Sequence, residues 1–339
     1  MEDRRIRWGV LSTAKIGMEA VIPAIRLSAL GEVAAIASRD AARAEAAAHA
    51  LGIPRAYGSY EALLADPEID AIYNPLPNHL HVPWTIRAMR AGKHVLCEKP
   101  VALTASEAQS LVEARAQTGR LVAEAFMIRH TPWWHRVREL ARSGHLGEVR
   151  AIQTFFSYVL EDAGNIRNMA DIGGGGLMDI GCYAIASARY VLGCEPLRVA
   201  ATLERDPRFG TDRLTSALLA FPGCHLTFTC STQAAPCQRV LVVGSRRRVE
   251  VLIPFNAPAE TACEIRIDDG TALDGSSAQV ERFGPANQYA LQADAFARAI
   301  SGAGPLEFPI EDAVRNMQVI EAVFAAAASG QWQDLEPRA

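Results

Sequence analysis

The chain has 339 residues, half of them hydrophobic, which exceeds one ordinary core and predicts two domains. Its formal net charge of −4 argues against a nucleic-acid-binding protein, and no apolar stretch of about 20 residues is present to span a membrane. The N-terminus has no apolar signal core, and the seven cysteines form no CxxC pair. We therefore expect a cytoplasmic protein with free thiols.

The first 126 residues alternate short apolar strands with helices. This pattern predicts a parallel sheet covered on both faces, a doubly wound Rossmann fold of the α/β class. The predicted strands are 6–12, 32–38, 69–74, 93–97 and 121–125, and the predicted helices are 14–30, 40–51, 81–91 and 106–118.

The remaining residues, 127–339, consist mostly of alternating or apolar strands with few helices between them. They predict an α+β domain with one large, open, mainly antiparallel sheet. Such a sheet needs a cover for its outer face, so we expect a homo-dimer or homo-tetramer formed through it. The predicted strands are 149–158, 197–204, 214–221, 224–231, 239–243, 248–253 and 263–268, and the helices are 177–192, 288–301 and 310–329.

The first strand-to-helix turn of a doubly wound fold binds the pyrophosphate of a dinucleotide. Here the usual G-x-G-x-x-G reads Ser12-x-Ala14-x-x-Gly17. Ser and Ala are small enough for the backbone to approach phosphate, and the helix N-terminus still offers its free N–H groups. The residues predicted to bind the cofactor in this turn are Ser12, Thr13, Ala14, Lys15 and Ile16.

The second strand ends in Ser38-Arg39-Asp40, with Arg43 one turn later. An NAD site usually has an acid at the end of this strand, whereas a hydroxyl and guanidinium groups suit the 2′-phosphate of NADP. The prediction is therefore NADP, with NAD as the alternative. The alternative interpretation is that Asp40 is a helix N-cap and Arg39 faces solvent, and both interpretations can hold together.

The third strand leads into Asn74-Pro75-Leu76-Pro77-Asn78-His79-Leu80-His81, a stiff loop expected to face the ribose and nicotinamide. Pro75, Leu76, Asn78 and His81 are its predicted cofactor residues. His79 and His81 alternatively suggest a metal pair. Because no cluster of Cys, Asp or Glu supplies further ligands, no metal site is predicted.

Two further segments carry candidate chemistry. Glu98-Lys99-Pro100 directly follows the fourth strand, at the sheet edge where ligands bind, although a surface ion pair beside a turn is the alternative. A run of four glycines enters the helix that carries Asp179 and Tyr183, which share one face at a spacing of four residues. The alternative is a core tyrosine and an aspartate that suits the helix dipole.

Taken together, these segments resemble the glucose–fructose oxidoreductase / inositol dehydrogenase / MocA family over nearly the full length of the chain. Tyrosine at position 183, where many members carry histidine, resembles the branch of D-xylose dehydrogenase and dimeric dihydrodiol dehydrogenase, whose members mostly use NADP. The matching segments are the degenerate glycine-rich turn and residues 73–81, 91–100, 144–149 and 174–183.

The resemblance implies an oxidoreductase that transfers a hydride between a nicotinamide cofactor and a sugar or cyclic polyol, with domain 1–126 binding NADP and domain 127–339 binding substrate. Tyr183 is then the acid/base, and Lys99 lowers its pKa and holds the substrate hydroxyl. Asp179 orients the substrate or Lys99, and Glu98 faces the cofactor ribose or a structural partner. Arg167 is expected to reach the substrate or cofactor, with a surface arginine as its alternative reading. Arg129 follows the fifth strand and is a further predicted substrate residue.

Three other functions remain open on the sequence. One is a trans-dihydrodiol-type dehydrogenase acting on an apolar diol. A second is a non-catalytic regulator that senses a dinucleotide on the same fold. A third is redox-neutral chemistry with a tightly bound nicotinamide, as in some glycosidases that resemble this family. Retention of Lys99, Asp179 and Tyr183 together favours catalysis over regulation.

Overall fold

A computed structural model describes residues 5–335 and divides the chain into two compact units. The first unit ends at Met127 and regains Asn287–Val314, and the second comprises Ile128–Ala286 and resumes at Arg315. The units are therefore not continuous in sequence. In the described residues, no helix is both long enough and apolar enough to cross a membrane.

The first unit contains a parallel sheet of six strands, in the order β3-β2-β1-β4-β5-β6. This is the doubly wound arrangement that the alternating pattern predicts. The strands are β1 (Ile6–Leu11), β2 (Gly31–Ala37), β3 (Arg55–Tyr57), β4 (Ala71–Asn74), β5 (His94–Cys97) and β6 (Val122–Glu124).

Helices cover both faces of this sheet. The last helix in this unit, Gln288–Ser301, packs Ala293 and Phe296 into the same core as Trp8, and Trp8 and Phe296 lie 5.8 Å apart between ring centroids. The helices are α1 (Ile22–Leu27), preceded by a π turn at Gly17–Val21, α2 (Ala41–Leu51), α3 (Tyr60–Leu64), α4 (Asn78–Arg90), α5 (Ala105–Thr118) and, numbered in chain order, α8 (Gln288–Ser301).

The second unit contains a nine-stranded sheet in which only the β7–β10 pair is parallel among the described residues. The prediction of a large, mainly antiparallel sheet is confirmed. Its strands are β7 (Val149–Val159), β8 (Arg198–Arg205), β9 (Asp212–Phe221), β10 (Cys224–Ser231), β11 (Gln233–Gly244), β12 (Arg248–Val251), β13 (Cys263–Asp268), β14 (Gln279–Phe283) and β15 (Gln333–Asp334).

Two helices of this unit follow short irregular turns. A π turn at Leu177–Gly181 opens α7 (Cys182–Leu192), and α6 (Pro132–Arg142) follows a 3-10 turn at Met127–His130. Helix α9 (Ile310–Ser329) begins in the first unit and continues past Arg315. The sequence analysis missed α6, although Pro132 at its first position and the buried residues Trp133, Val137 and Leu140 have helical spacing.

Candidate active site

The turn after β1 has the geometry of a phosphate-binding turn. Ser12 has a φ of 71°, and it is the only non-glycine residue between 5 and 335 with a positive φ. The left-handed region costs a residue with a Cβ about 1–2 kcal/mol, and such strain is concentrated at functional sites. The Ser12 hydroxyl accepts a hydrogen bond from the Ala14 N–H at 3.2 Å. A serine thus adopts the conformation that a glycine usually supplies.

The neighbouring predicted residues differ in exposure. Thr13, Ala14 and Ile16 are partly buried, whereas Lys15 is exposed and pairs with Glu19 at 3.8 Å. Small side chains at the turn leave its N–H groups accessible to an anion, so the turn fits a pyrophosphate.

The end of β2 holds the residues predicted to select the cofactor. The Asp40 carboxylate caps α2 by accepting from the Arg43 N–H at 3.3 Å, and the buried Ser38 hydroxyl accepts from the Asp40 N–H at 3.2 Å. The guanidinium groups of Arg39 and Arg43 lie close enough to act on the pKa of Tyr60, a buried residue that the sequence analysis did not single out. Burial raises the pKa of Tyr60, opposed by Arg39 and Arg43. Two guanidinium groups therefore lie near one hydroxyl.

His81 joins two loops at the carboxyl edge of the sheet. Its Nδ1 lies 2.8 Å from the Pro100 carbonyl oxygen, and its Nε2 lies 2.6 Å from the Leu76 carbonyl oxygen. Burial lowers the pKa of His81 to about 4. Each ring nitrogen faces a backbone carbonyl oxygen, and the neutral ring donates its one N–H to one of them, so His81 packs between the loops that carry Leu76 and Lys99. Of the other predicted loop residues, Pro75 and Leu76 are buried, and Asn78 begins α4.

Glu98 and Lys99 follow β5 at the same edge, and both are half-buried. The Tyr73 hydroxyl donates to Glu98 Oε1 at 2.7 Å, so Glu98 has a structural partner inside the first unit. Burial, and then the Glu98 carboxylate, raise the pKa of Tyr73, which keeps this tyrosine a neutral donor. Lys99 follows directly, and its own N–H lies 3.3 Å from Glu98 Oε2.

In the second unit, three polar side chains meet at the π turn, Leu177–Gly181, that opens α7. Arg167 Nε lies 2.9 Å from Asp179 Oδ1, and the Tyr158 hydroxyl donates to Asp179 Oδ2. Burial, followed by the Asp179 charge, raises the pKa of Tyr158, which therefore stays protonated. Together with Tyr183, these residues are here named the Asp179 cluster.

Tyr183 lies four residues after Asp179, near enough for its charge to act on the pKa of Arg167, and its ring packs in the core. The residue is 5% exposed, and its ring centroid lies 5.3 Å from that of Phe255 and 6.0 Å from that of Phe156. The Asp179 charge raises the pKa of the Arg167 guanidinium, and Tyr158 and Tyr183 add to this effect. Both readings of Tyr183, as a packed aromatic and as a polar site residue, are thus compatible.

Tyr158 is a site residue that the sequence analysis missed. The β7 side chains Ile152, Thr154 and Phe156 alternate toward the covered face of the sheet, and Tyr158 continues that alternation. The signal available in the sequence was a tyrosine hydroxyl at the end of the buried face of this strand. Arg129, predicted to bind substrate, is 3% exposed, and its carbonyl oxygen accepts from His135 Nε2 at 2.9 Å.

The glycine run before the Asp179 helix is closely packed. A Cβ at Gly174 would lie 2.6 Å from the Arg167 carbonyl oxygen, and one at Gly175 would lie 2.0 Å from Asp212 Oδ1. The close approach to the backbone that these glycines permit is therefore used by Asp212 and by the Arg167 carbonyl group. Within residues 5–335, no group of three or more His, Cys, Asp or Glu side chains has the arrangement of a metal site.

Comparison with known proteins matches both parts of the chain to one family. Residues 6–126 match the oxidoreductase family with an NAD-binding Rossmann fold, and residues 134–250 match the GFO/IDH/MocA C-terminal domain. An uncharacterized oxidoreductase, ORF334 of Rhizobium meliloti, is 49% identical over 97% of this chain and 98% of its own length.

Two further relatives have described activities. The D-xylose 1-dehydrogenase (NADP(+)) 2 of Haloferax volcanii is 40% identical over 97% of this chain and 99% of its own length. The crystal structure of KijD10, a 3-ketoreductase from Actinomadura kijaniata in complex with NADP and TDP-benzene, superposes with a TM-score of 0.88 at 33% identity, covering 95% of this chain and 98% of that one. The chain therefore belongs to the GFO/IDH/MocA family of oxidoreductases.

Proposed function

We propose that this protein is an NADP-dependent oxidoreductase acting on a hydroxyl or carbonyl carbon of a sugar or cyclic polyol. The observation that carries the proposal is the Asp179 cluster, in which a carboxylate, a guanidinium and two phenols lie together. Such a set can bind a polyhydroxylated ligand by donating and accepting hydrogen bonds at once. The D-xylose dehydrogenase and ketoreductase relatives support a sugar as substrate.

Tyr183 is the proposed acid/base. A free tyrosine has a pKa of about 10, so it needs nearby positive charge to act as a base near neutrality. We assign that role to Lys99, which also holds the reacting hydroxyl, with Arg167 adding a second cation. Asp179 orients the substrate, and its own charge is balanced by Arg167. Bound NADP supplies the acceptor or donor of the hydride.

The residues proposed to hold NADP are those of the first unit. The turn at Ser12 fits the pyrophosphate, and Ser38, Arg39 and Arg43 supply the donors that suit a 2′-phosphate. His81 acts indirectly, by holding the loops of Leu76 and Lys99 together.

The remaining proposals concern assembly and location. The outer face of the nine-stranded sheet exposes Phe155 and Leu214, at 38% and 36% of their full accessible area. Pairing of this face with a second copy would cover it, and we propose a homo-dimer or homo-tetramer formed in this way. All seven cysteines lie within residues 5–335 and none forms a disulfide, which supports a reducing cytoplasmic setting.

The proposed function is tested by following nicotinamide absorbance with NADP and with NAD against a panel of aldoses, inositols and diols. We expect turnover on at least one aldose or cyclic polyol, with NADP preferred. The proposal would be contradicted if the protein binds NADP but neither oxidises any of these alcohols with NADP nor reduces the corresponding carbonyl compounds with NADPH. Turnover on apolar diols alone would instead identify a dihydrodiol-type enzyme.

A further inference from the structure

Asp212 is a buried carboxylate at the start of the helical segment that carries Asp179 and Tyr183. The residue begins β9 and is 1% exposed. Its Oδ2 accepts from the Leu177 N–H at 2.6 Å and from the Thr215 hydroxyl at 3.0 Å. Leu177 is the first residue of the helical segment, where N–H groups lack partners within the helix. Asp212 thus caps this helix from a neighbouring strand.

The glycine run lets Asp212 approach the backbone at Gly175 and the Arg167 carbonyl group approach it at Gly174. Gly175 has a φ of +123°, and a Cβ there would lie 2.0 Å from Asp212 Oδ1. A Cβ at Gly174 would instead lie 2.6 Å from the Arg167 carbonyl oxygen, and the Gly175 N–H donates to that oxygen at 2.8 Å. The helix start is therefore packed between Asp212 and the backbone of Arg167.

This packing connects Asp212 to the proposed chemistry. Asp179 lies two residues after Leu177 and pairs with Arg167 on the adjoining loop, and Tyr183 follows one turn later. A displacement of the helix start would move Asp179 and Tyr183 relative to Arg167. Since misplacing a catalytic group by about 1 Å can cost as much as 100-fold in rate, even a small displacement matters.

We propose that Asp212 is a positioning residue for Tyr183 and Asp179, acting through the Leu177 N–H and the glycine run. The proposal rests on the function proposed above for these two residues. A negative charge also suits the positive end of the helix dipole. Burial raises the pKa of Asp212 to about 6, against the opposing hydrogen bonds from Leu177 and Thr215, so the carboxylate is mostly ionised above neutrality.

The chain offers a matched control in Asp206, a buried aspartate of the same unit. It is 2% exposed, and its carboxylate accepts from the Arg208 and Phe209 N–H groups at 2.6 and 3.1 Å. Asp206 therefore caps the turn between β8 and β9, and the hydrogen-bond partners of its carboxylate, Arg208, Phe209 and Gln233, all lie outside residues 173–183. Loss of either carboxylate removes backbone hydrogen bonds, but only the loss of Asp212 releases the Asp179 helix.

The experiment compares Asp212→Ala, Asp212→Asn and Asp206→Ala for kcat, KM, NADP affinity and thermal stability. We expect Asp212→Ala to lower kcat by about 10- to 100-fold while NADP affinity stays within about 2-fold, because the helix start is displaced. Asp212→Asn keeps an amide oxygen for Leu177 and should recover kcat to within about 3-fold of the native enzyme. Asp206→Ala should lower the melting temperature with little change in kcat.

Equal losses of kcat in the two alanine variants, or normal kcat in Asp212→Ala, would overturn the inference. If Asp212→Ala does not fold, Thr215→Val removes the second hydrogen bond to the carboxylate, and an unchanged kcat there would overturn it equally. Hydrogen exchange of residues 175–183 gives a readout independent of turnover, and we expect faster exchange in Asp212→Ala but not in Asp206→Ala. If the native protein has no activity on any substrate of the panel, the proposed function fails. If the native protein is active and Asp212→Ala has the same kcat, only the inference about Asp212 fails.

Discussion

The cofactor residues of the first unit and the Asp179 cluster of the second are held in place by different means. In the first unit, the backbone fixes the proposed cofactor residues. Ser12 has a left-handed backbone conformation, and two backbone carbonyl oxygens face the ring nitrogens of His81. In the second unit the side chains of Arg167 and Tyr158 hold one carboxylate between them. A backbone-built site tolerates changes in side chains, whereas a site built from paired charges depends on each member.

The largest effect is expected at Tyr183, the proposed proton-transfer group of the second unit. Tyr183→Phe removes the phenolic hydroxyl but keeps the ring that packs on Phe156 and Phe255. Turnover should fall by about 100-fold or more, the usual effect of losing a general acid/base, while NADP binding is retained. Steady-state kinetics and a fluorescence titration of NADP provide the measurements. Turnover close to the native value would remove Tyr183 from this role.

The next largest effect separates cofactor recognition from chemistry. Arg39→Ala should weaken NADP by about 10- to 100-fold, because a charge-assisted hydrogen bond is worth about 1.5–3 kcal/mol, and should leave NAD nearly unchanged. Dissociation constants for both cofactors are compared with those of Arg26→Ala, which removes a guanidinium bonded to the Leu51 carbonyl in the same unit. An equal loss for NADP and NAD would mean that the 2′-phosphate is bound by other residues.

Arg167→Gln tests the paired charges of the second unit. We expect kcat/KM to fall by about 10-fold and the pH at which activity rises to move upward, since removing a nearby cation disfavours the phenolate of Tyr183. Arg167→Lys should show a smaller shift because it keeps the charge. A pH profile that coincides with the native one would contradict the electrostatic role. Arg208→Gln, which breaks an ion pair with Glu161 in the same unit, serves as the control.

A smaller effect is expected from Tyr158→Phe. This change removes one hydrogen bond to Asp179 while Arg167 still holds the other oxygen, so kcat/KM should fall by about 3- to 10-fold. Tyr190→Phe removes a long hydrogen bond, 3.4 Å, to the Arg129 carbonyl oxygen and is a suitable control. The same loss in both variants would assign Tyr158 to general packing.

The smallest effect concerns the pH dependence of stability. The folded pKa of Asp212 is raised to about 6 by burial, so this group stabilises the fold fully below about pH 4 and loses that contribution as the pH rises through 6. Replacement by asparagine removes the titration. Relative to Asp212→Asn, the native protein should therefore lose a few degrees of melting temperature between pH 4 and pH 7.5. Parallel curves for the two proteins would contradict a raised pKa.

The sequence by itself determined the class of each sheet. Strands 6–12 and 32–38 are mostly apolar and alternate with helices, and this pattern suffices for a parallel sheet because both of its faces are buried. Strand 149–158 alternates, which requires one covered and one open face. Local signals also selected Ser12, Lys99 and Tyr183 as candidates, because each lies just after a strand or in a helix with a glycine-rich entry.

Tertiary structure alone decided which side chains meet. The hydrogen bond between Tyr158 and Asp179 joins residues 21 positions apart, and the one between Leu177 and Asp212 joins residues 35 positions apart. Spacing along the chain therefore carries no information on these contacts. For the same reason the glycine run indicated only that some group can come close to the backbone, and the structure identifies Asp212 and the Arg167 backbone as those groups. Short-range pattern determines how a segment folds, whereas a buried carboxylate finds its donors only after distant strands have come together.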